Sequence, residues 1–116
     1  MAFLVYSIRS FEPVMKILAE YRLSGVVFHG FVGSVQQAER CFAAGYFLSF
    51  GKRSLRSAKT REVIAEAPAD RIFCETDDNP ELDIEEIYRE VAALRGDSLA
   101  ALQEQTASNY QKLMRL

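Results

Sequence analysis

This sequence contains few cysteines and histidines and carries little net charge, and each of these features argues against a class of protein. The 116 residues include two cysteines and one histidine, and the formal net charge is −2. Cys41 and Cys74 lie far apart in apolar stretches, so their spacing suggests neither a disulfide framework nor a zinc site. Buried, reduced thiols are typical of a cytoplasmic protein, which is the location that we predict. So small a net charge gives the molecule no overall attraction for nucleic acid or an anionic membrane.

Long apolar runs are absent as well. No stretch approaches the roughly 18 consecutive apolar residues that a membrane-spanning helix needs. The apolar start, Met1 to Ile8, is short and lacks both a basic region and a small-residue cleavage site, so we expect no signal peptide. No low-complexity segment or linker divides the chain, and its length suits one domain or part of one.

Short apolar runs alternate with segments of helical periodicity, and this alternation predicts the fold. We predict four strands, near residues 3–8, 25–30, 45–50 and 71–76. Each is followed by a helical segment, and capping-box signatures begin two of these segments at Ser34 and Asp83. Strands that alternate with helices every 20 to 25 residues or so are typical of βα units on a parallel sheet. The sequence therefore predicts an α/β fold of four consecutive βα units with parallel strands, as a single domain over residues 1–116.

Two of the predicted helices carry specific expectations. The third is predicted as one helix from about Ser54 to Ala67, ended by Pro68. An extra C-terminal helix begins after Ser98, and its periodicity predicts an inward face formed by Leu99, Leu102, Thr106, Tyr110 and Leu113.

Two residues at the predicted strand ends have the chemistry of a site. Right-handed crossovers bring the C-terminal ends of parallel strands to one edge, where such folds bind ligands. His29 lies in the second strand and is either a hydrogen-bonded core residue or a metal ligand. Asp77 follows the fourth strand and is a metal ligand, a general base or a cap for the turn at Pro80. Imidazole and carboxylate suit zinc or manganese, but a metal site usually takes three or more protein ligands.

A basic stretch follows the third strand. Five basic residues and no acid lie between Lys52 and Arg61. They form either a solvated helix face or a phosphate site. Lys52 and Arg53 directly follow the strand, a position where barrels often bind phosphate.

Three motifs, in order, resemble the TatD family of metal-dependent hydrolases. Residues 28–34 (FHGFVGS) resemble the family's FHxFxG element, and residues 45–51 (GYFLSFG) resemble the strand that follows it. Residues 70–77 (DRIFCETD) resemble the signature DRxxxETD, and residues 92–116 resemble the family's closing helices. The resemblance implies the C-terminal half of a (βα)8 TIM barrel. It also implies a phosphodiester hydrolase of the deoxyribonuclease class that uses a divalent metal, namely zinc, manganese or magnesium.

The same resemblance assigns roles to individual residues. His29 matches a metal ligand of the family, and Asp77 matches its final metal ligand and a catalytic residue. Tyr6 stands where a family strand has a ligand histidine, and Asp78-Asn79 replace the common Ala-Pro. The His-x-His pair and the glutamate of the family's first barrel half have no counterpart here, so we expect weak metal binding or none.

Two functional hypotheses follow from this resemblance. In the first, the chain is a hydrolase of nucleic acid or another phosphate ester, completed by a missing N-terminal barrel half or by a second copy. In the second, it is an inactive half-barrel that acts as a scaffold or phosphate-binding interaction module. Both expect an oligomer or complex, because the edge strands are apolar and lack Lys or Pro. Both also expect an exposed inner sheet face formed by Leu4, Tyr6, Val27, Phe47, Leu48 and Phe73.

Overall fold

The computed structural model describes residues 3–5, 11–76 and 83–116. Its elements, in chain order, are β1 (Phe3–Val5), α1 (Phe11–Tyr21), β2 (Val26–Phe28), α2 (Val35–Ala43), β3 (Phe47–Phe50), α3 (Lys52–Arg56), α4 (Ala58–Glu66), a 3-10 turn (Ala69–Arg71), β4 (Ile72–Cys74), α5 (Ile84–Arg95) and α6 (Leu99–Met114). No helix within these ranges is both long and apolar enough to cross a membrane.

The four strands form one parallel sheet in the order β1-β2-β3-β4. Val5 lies opposite Phe28, and Phe50 lies opposite Cys74. The predicted α/β class with four parallel strands is confirmed, although each strand is shorter than predicted. The C-terminal ends of all four strands consequently meet at one edge.

The main core lies between the helices and one side of the sheet, which we call the outer face. The strands contribute buried apolar side chains to it, namely Val26, Phe28, Leu48, Phe50 and Ile72. Leu48 was predicted on the opposite face. That prediction is wrong, because side chains alternate along a strand and Leu48 lies between two residues, Phe47 and Ser49, that point the other way.

The opposite side, the inner face, is partly covered by the C-terminal end of α6. Val27 and Phe47 are buried against Leu113, and Phe73 packs beside them with its ring centroid 5.5 Å from that of Phe47. The expected exposure of the whole inner face is therefore wrong for Val27 and Phe47. Leu4 remains 60% exposed. Tyr6, the other residue predicted on this face, lies outside the described residues.

The inward side of α6 differs from the prediction at one position. Asn109 is 1% exposed, whereas Tyr110 is 59% exposed. The Asn109 side-chain amide donates hydrogen bonds to the carbonyls of Ala69 (2.8 Å) and Ile72 (2.9 Å), which anchors α6 to the start of β4. The polar Asn109 side chain is buried because the backbone carbonyls of Ala69 and Ile72 accept its hydrogen bonds. An aromatic ring at this position could not pair with them.

The third predicted helix is two helices. Ser57 has an extended backbone (φ −98°, ψ 118°), and its hydroxyl accepts from the Thr60 N–H as the N-cap of α4. This break lets Ser54 and Thr60, both fully buried, turn their hydroxyls toward the loop after β2.

Candidate functional site

His29 follows β2 at the C-terminal edge of the sheet. Its backbone N–H donates to the Val5 carbonyl at 2.8 Å, which continues the pairing of β1 with β2 by one residue. Its side chain is 15% exposed and lines the inner face. The sequence prediction that His29 lies at this edge is therefore confirmed.

Glu75 is the residue that His29 contacts, and sequence reasoning did not single it out. It follows β4, where its backbone N–H donates to the Phe50 carbonyl at 3.0 Å. Its Oε2 lies 2.6 Å from His29 Nε2, and its Oε1 accepts from the Gly30 N–H at 2.6 Å. The carboxylate is 10% exposed. One feature of the sequence could have identified Glu75. It is a glutamate at the end of an apolar strand, two strands from the strand that precedes the chain's one histidine.

Two glycines lie beside the Glu75 side chain. Gly30 has φ +59°, a conformation that other residues rarely adopt. At Gly51, a Cβ atom would lie 3.2 Å from Glu75 Cγ and 3.3 Å from the Glu75 carbonyl oxygen. A larger residue at position 51 would therefore crowd Glu75. With glycine there, the Glu75 side chain can extend past β3 to His29.

Buried hydroxyl groups fix the loop that carries His29. The Thr60 hydroxyl accepts from the Gly33 N–H at 3.0 Å and lies 3.2 Å from the Gly33 carbonyl. The Ser54 hydroxyl donates to the Phe31 carbonyl at 2.6 Å and accepts from the Gly51 N–H at 3.1 Å. The loops after β2 and β3 are thus tied to each other and to α3 and α4. A loop fixed in this way holds a side chain at a defined position.

A groove of about 350 Å³ opens on the inner face. Leu4, Val27 and Phe73 line it from the sheet, and the C-terminal end of α6 lines it from the other side. His29 and Ser49 line it toward the strand ends. The site therefore consists of a histidine–carboxylate pair beside an apolar groove.

The other predicted site residues are not brought to this pair by the described structure. Lys52 and Arg53 are exposed as the first two residues of α3. Asp77 and Tyr6 lie outside the described residues. Across residues 3–5, 11–76 and 83–116, no three His, Cys, Asp or Glu side chains cluster in a way that could hold a metal ion.

His29 and Glu75 nevertheless have the chemistry that a metal ligand and its support require. A ligating histidine commonly pairs one ring nitrogen with a carboxylate, which orients the ring and makes the other nitrogen more basic. The pair therefore suits a divalent metal ion, with His29 as a metal ligand and Glu75 as the carboxylate that orients the His29 ring.

Comparison with known sequences relates the chain to one family. The sequence profile of the family described as TatD related DNase matches residues 3–115. A 3'-5' ssDNA/RNA exonuclease TatD from Erwinia tasmaniensis is 31% identical over 114 residues, covering 82% of this chain and 44% of the relative. YjjV from Escherichia coli, described as an uncharacterized metal-dependent hydrolase, is 40% identical over 78 residues, covering 64% of this chain and 30% of the relative.

Solved structures give the same relation. The crystal structure of the Escherichia coli TatD homolog YJJV matches with a TM-score of 0.84 and 27% identity, covering 95% of this chain and 48% of that one. A hydrolase TatD family protein from Entamoeba histolytica matches with a TM-score of 0.86 at 17% identity, over 97% of this chain and 50% of that one, and shows the fold alone. This chain therefore spans about half the length of the proteins that it matches.

Proposed function

Because this chain belongs to the family of TatD-related DNases, we propose that it supplies half of a metal-dependent site that hydrolyses phosphodiester bonds in single-stranded nucleic acid. The observation that carries the proposal is the contact of His29 with the buried carboxylate of Glu75 at the C-terminal sheet edge. The substrate class is taken from the exonuclease relative, whose name gives single-stranded DNA and RNA.

In this proposal His29 and Asp77 hold a divalent metal ion. When bound, such an ion supplies a Lewis acid that activates water and offsets the negative charge of the phosphate. Asp77 acts as the second ligand or as the general base, and Glu75 keeps the His29 ring in place. Tyr6 stands where the resemblance expects a histidine, and a tyrosine with its unperturbed pKa near 10 is a poor substitute for imidazole as a ligand.

Lys52 and Arg53 are the proposed phosphate anchors. They follow β3 directly and are exposed, and β3 lies between the strands that lead to His29 and Glu75. Their charges provide a local attraction for a phosphate that the net charge of −2 does not.

The remaining ligands come, in this proposal, from four further βα units that close the barrel. β1 pairs with β2 and β4 pairs with β3, so the described sheet ends at the outer edges of β1 and β4. Leu4 is 60% exposed in the groove, which favours a surface that another segment covers. We favour a different polypeptide segment over a second copy, because this chain covers only 48% of the matching YJJV structure.

A second candidate function is a scaffold or phosphate-binding module without catalysis. The replacement of a ligand histidine by Tyr6 favours it, as does the lack of a three-ligand cluster among the described residues. It predicts that nucleic acid binding, if present, depends on Lys52 and Arg53 but not on metal.

Manganese binding and hydrolysis of a labelled single-stranded DNA separate these functions. Calorimetry and a nuclease assay would compare the purified chain with His29→Ala and Asp77→Ala, using Lys16→Ala on α1 as the control. Metal binding that both site variants lose supports the proposed half-site, whether or not the chain alone cleaves DNA. Light scattering in the same samples identifies a second copy if the mass is twice 13.1 kDa. No metal binding together with no cleavage would contradict the proposal and favour the scaffold.

A further inference from the structure

We propose that α1 carries an interface for a second helix, formed by Val14, Ile17 and Tyr21, which we call the α1 flank. The occupant is an amphipathic helix from a βα unit of a different polypeptide segment, whose strand pairs with the outer edge of β1. The inference rests on the part of the proposed function in which further βα units close the barrel, and it requires neither metal binding nor catalysis.

The α1 flank is apolar and open to solvent. Ile17 is 51% exposed, Tyr21 is 69% exposed, and Val14 is half-buried. Residues spaced i, i+3 and i+7 lie on one side of a helix. Single exposed apolar side chains are ordinary on a protein surface, whereas an apolar stripe with helical spacing is typical of a helix that packs against another element.

The contacts of α1 with α2 determine which way the α1 flank points. The side chains of Glu12, Lys16 and Ala19 line a cleft together with α2, and Arg40 of α2 contacts Glu12 there. With about 100° of rotation per residue, these side chains and the α1 flank lie on roughly opposite sides of the helix axis. Because α2 follows β2, the α1 flank faces away from β2 and toward the outer edge of β1.

The outer edge of β1 is also open. Among the described residues, no strand pairs with β1 on the side opposite β2. Leu4 is exposed on the inner face of the same strand, so open apolar surface lies on both sides of β1. Helices of neighbouring βα units pack side by side, as α1 and α2 do here. A unit whose strand extends the sheet at β1 therefore brings its helix to the α1 flank.

The other end of the sheet differs, and this difference favours a different segment over a second copy. There α6 packs against both α5 and β4, and the hydroxyls of Tyr88 on α5 and Thr106 on α6 lie 2.9 Å apart. A second copy would have to present β4 to β1 with α6 already packed beside it. A different segment has no such obstacle, and this chain matches only 48% of the YJJV structure.

Co-expression with a defined segment tests the interface. The segment is the part of Escherichia coli YJJV that this chain does not match, about half of that protein. Light scattering should find a complex with one copy of each chain. Ile17→Glu should weaken this complex by at least about tenfold, because it places a charge in an apolar contact. Lys16→Glu is the matched control on the cleft side of α1 and should bind like wild type. No complex, or equal weakening by both variants, would overturn the inference.

Thiol labelling is a second measurement that needs no charged variant. Burial raises the pKa of Cys41 and Cys74 to about 12, so both give little background at about pH 8. Ile17→Cys should react readily in the free chain and much more slowly in the complex, whereas Lys16→Cys should react equally in both. Equal rates for Ile17→Cys in the free and bound chain would overturn the inference. Protection of Ile17→Cys in a homodimer would overturn the choice of occupant.

These readouts distinguish the interface from the proposed function. A complex that protects position 17 but binds no manganese supports the interface and contradicts the proposed half-site. Manganese binding in a complex in which position 17 stays reactive supports the half-site and contradicts the interface.

Discussion

Replacing Asn109 by aspartate tests how the last helix is attached to the sheet. The wild-type amide is 1% exposed and donates to the carbonyls of Ala69 and Ile72. Asn109→Asp keeps the shape but replaces the NH₂ group by an oxygen that faces both carbonyls. Two hydrogen bonds are lost, each worth about 1 kcal/mol, and two buried acceptors lose their donor.

The total loss should be about 3–5 kcal/mol at pH 7, because the cost of burying a charge, which keeps the Gln105 side-chain amide as a donor at 2.8 Å, adds to the lost hydrogen bonds. This is a large fraction of the roughly 5–15 kcal/mol that stabilises a typical domain. The same environment should raise the pKa of the new carboxyl group above its usual value of about 3.9. A protonated carboxyl can donate one hydrogen bond, so the loss should shrink at acid pH and grow as the pH rises through the raised pKa.

Urea unfolding followed by circular dichroism, at pH 7 and at about pH 4.5, measures both effects. The matched control is Gln103→Glu, which makes the same chemical change at an exposed position of α6 and should alter stability by less than about 0.5 kcal/mol. If Asn109→Asp were as stable as Gln103→Glu at pH 7, the proposed anchoring of α6 through Asn109 would be refuted.

Three further predictions concern thiols, the loop after β2 and assembly. Burial raises the pKa of both Cys41 and Cys74 to about 12, so native protein should react with a thiol reagent at pH 8 far more slowly than protein in urea; equal rates would contradict this. Thr60→Val removes the hydroxyl that contacts Gly33 and should cost about 1–3 kcal/mol in urea unfolding, whereas Thr60→Ser should cost less; equal losses would argue that the hydroxyl is irrelevant. Light scattering of the purified chain should find a mass near 13.1 kDa at every concentration, because the proposed cover of the groove is a different segment; a mass near twice that value that falls in Leu4→Lys would contradict this choice and favour a second copy.

The sequence predicted the sheet well because its signals are local. Apolar runs and capping residues such as Ser34 and Asp83 depend on their immediate neighbours, and both act as N-caps in the structure. The sequence predicted the region of α3 and α4 less well. The helix breaks at Ser57, and the buried hydroxyls of Ser54 and Thr60 on either side of the break hydrogen bond to residues more than 20 positions away.

The candidate site was predicted only in part, because some of its contacts depend on residues that are far apart in the sequence. His29 was identified from its place at a strand end, and its position is confirmed. Its contact with Glu75 joins residues 46 positions apart in the sequence, and it depends on the room left by Gly51, which no local pattern reveals. Leu48 was misassigned because it was placed on the same strand face as its neighbour Phe47, although successive side chains point to opposite faces. Tyr110 was favoured over Asn109 because an aromatic ring usually faces inward, whereas Asn109 is buried by hydrogen bonds to the Ala69 and Ile72 carbonyls, which the helical pattern does not reveal.

The most direct test of the half-site is a zinc titration observed through the His29 ring signals. The account predicts that the ¹⁵N resonances of this single histidine shift as zinc is added, and that Asp77→Ala weakens the zinc dependence of that shift. A matched titration of Lys16→Ala should follow wild type. Ring signals of His29 that stay unchanged up to millimolar zinc would contradict the claim that this chain contributes a metal ligand to a hydrolytic site.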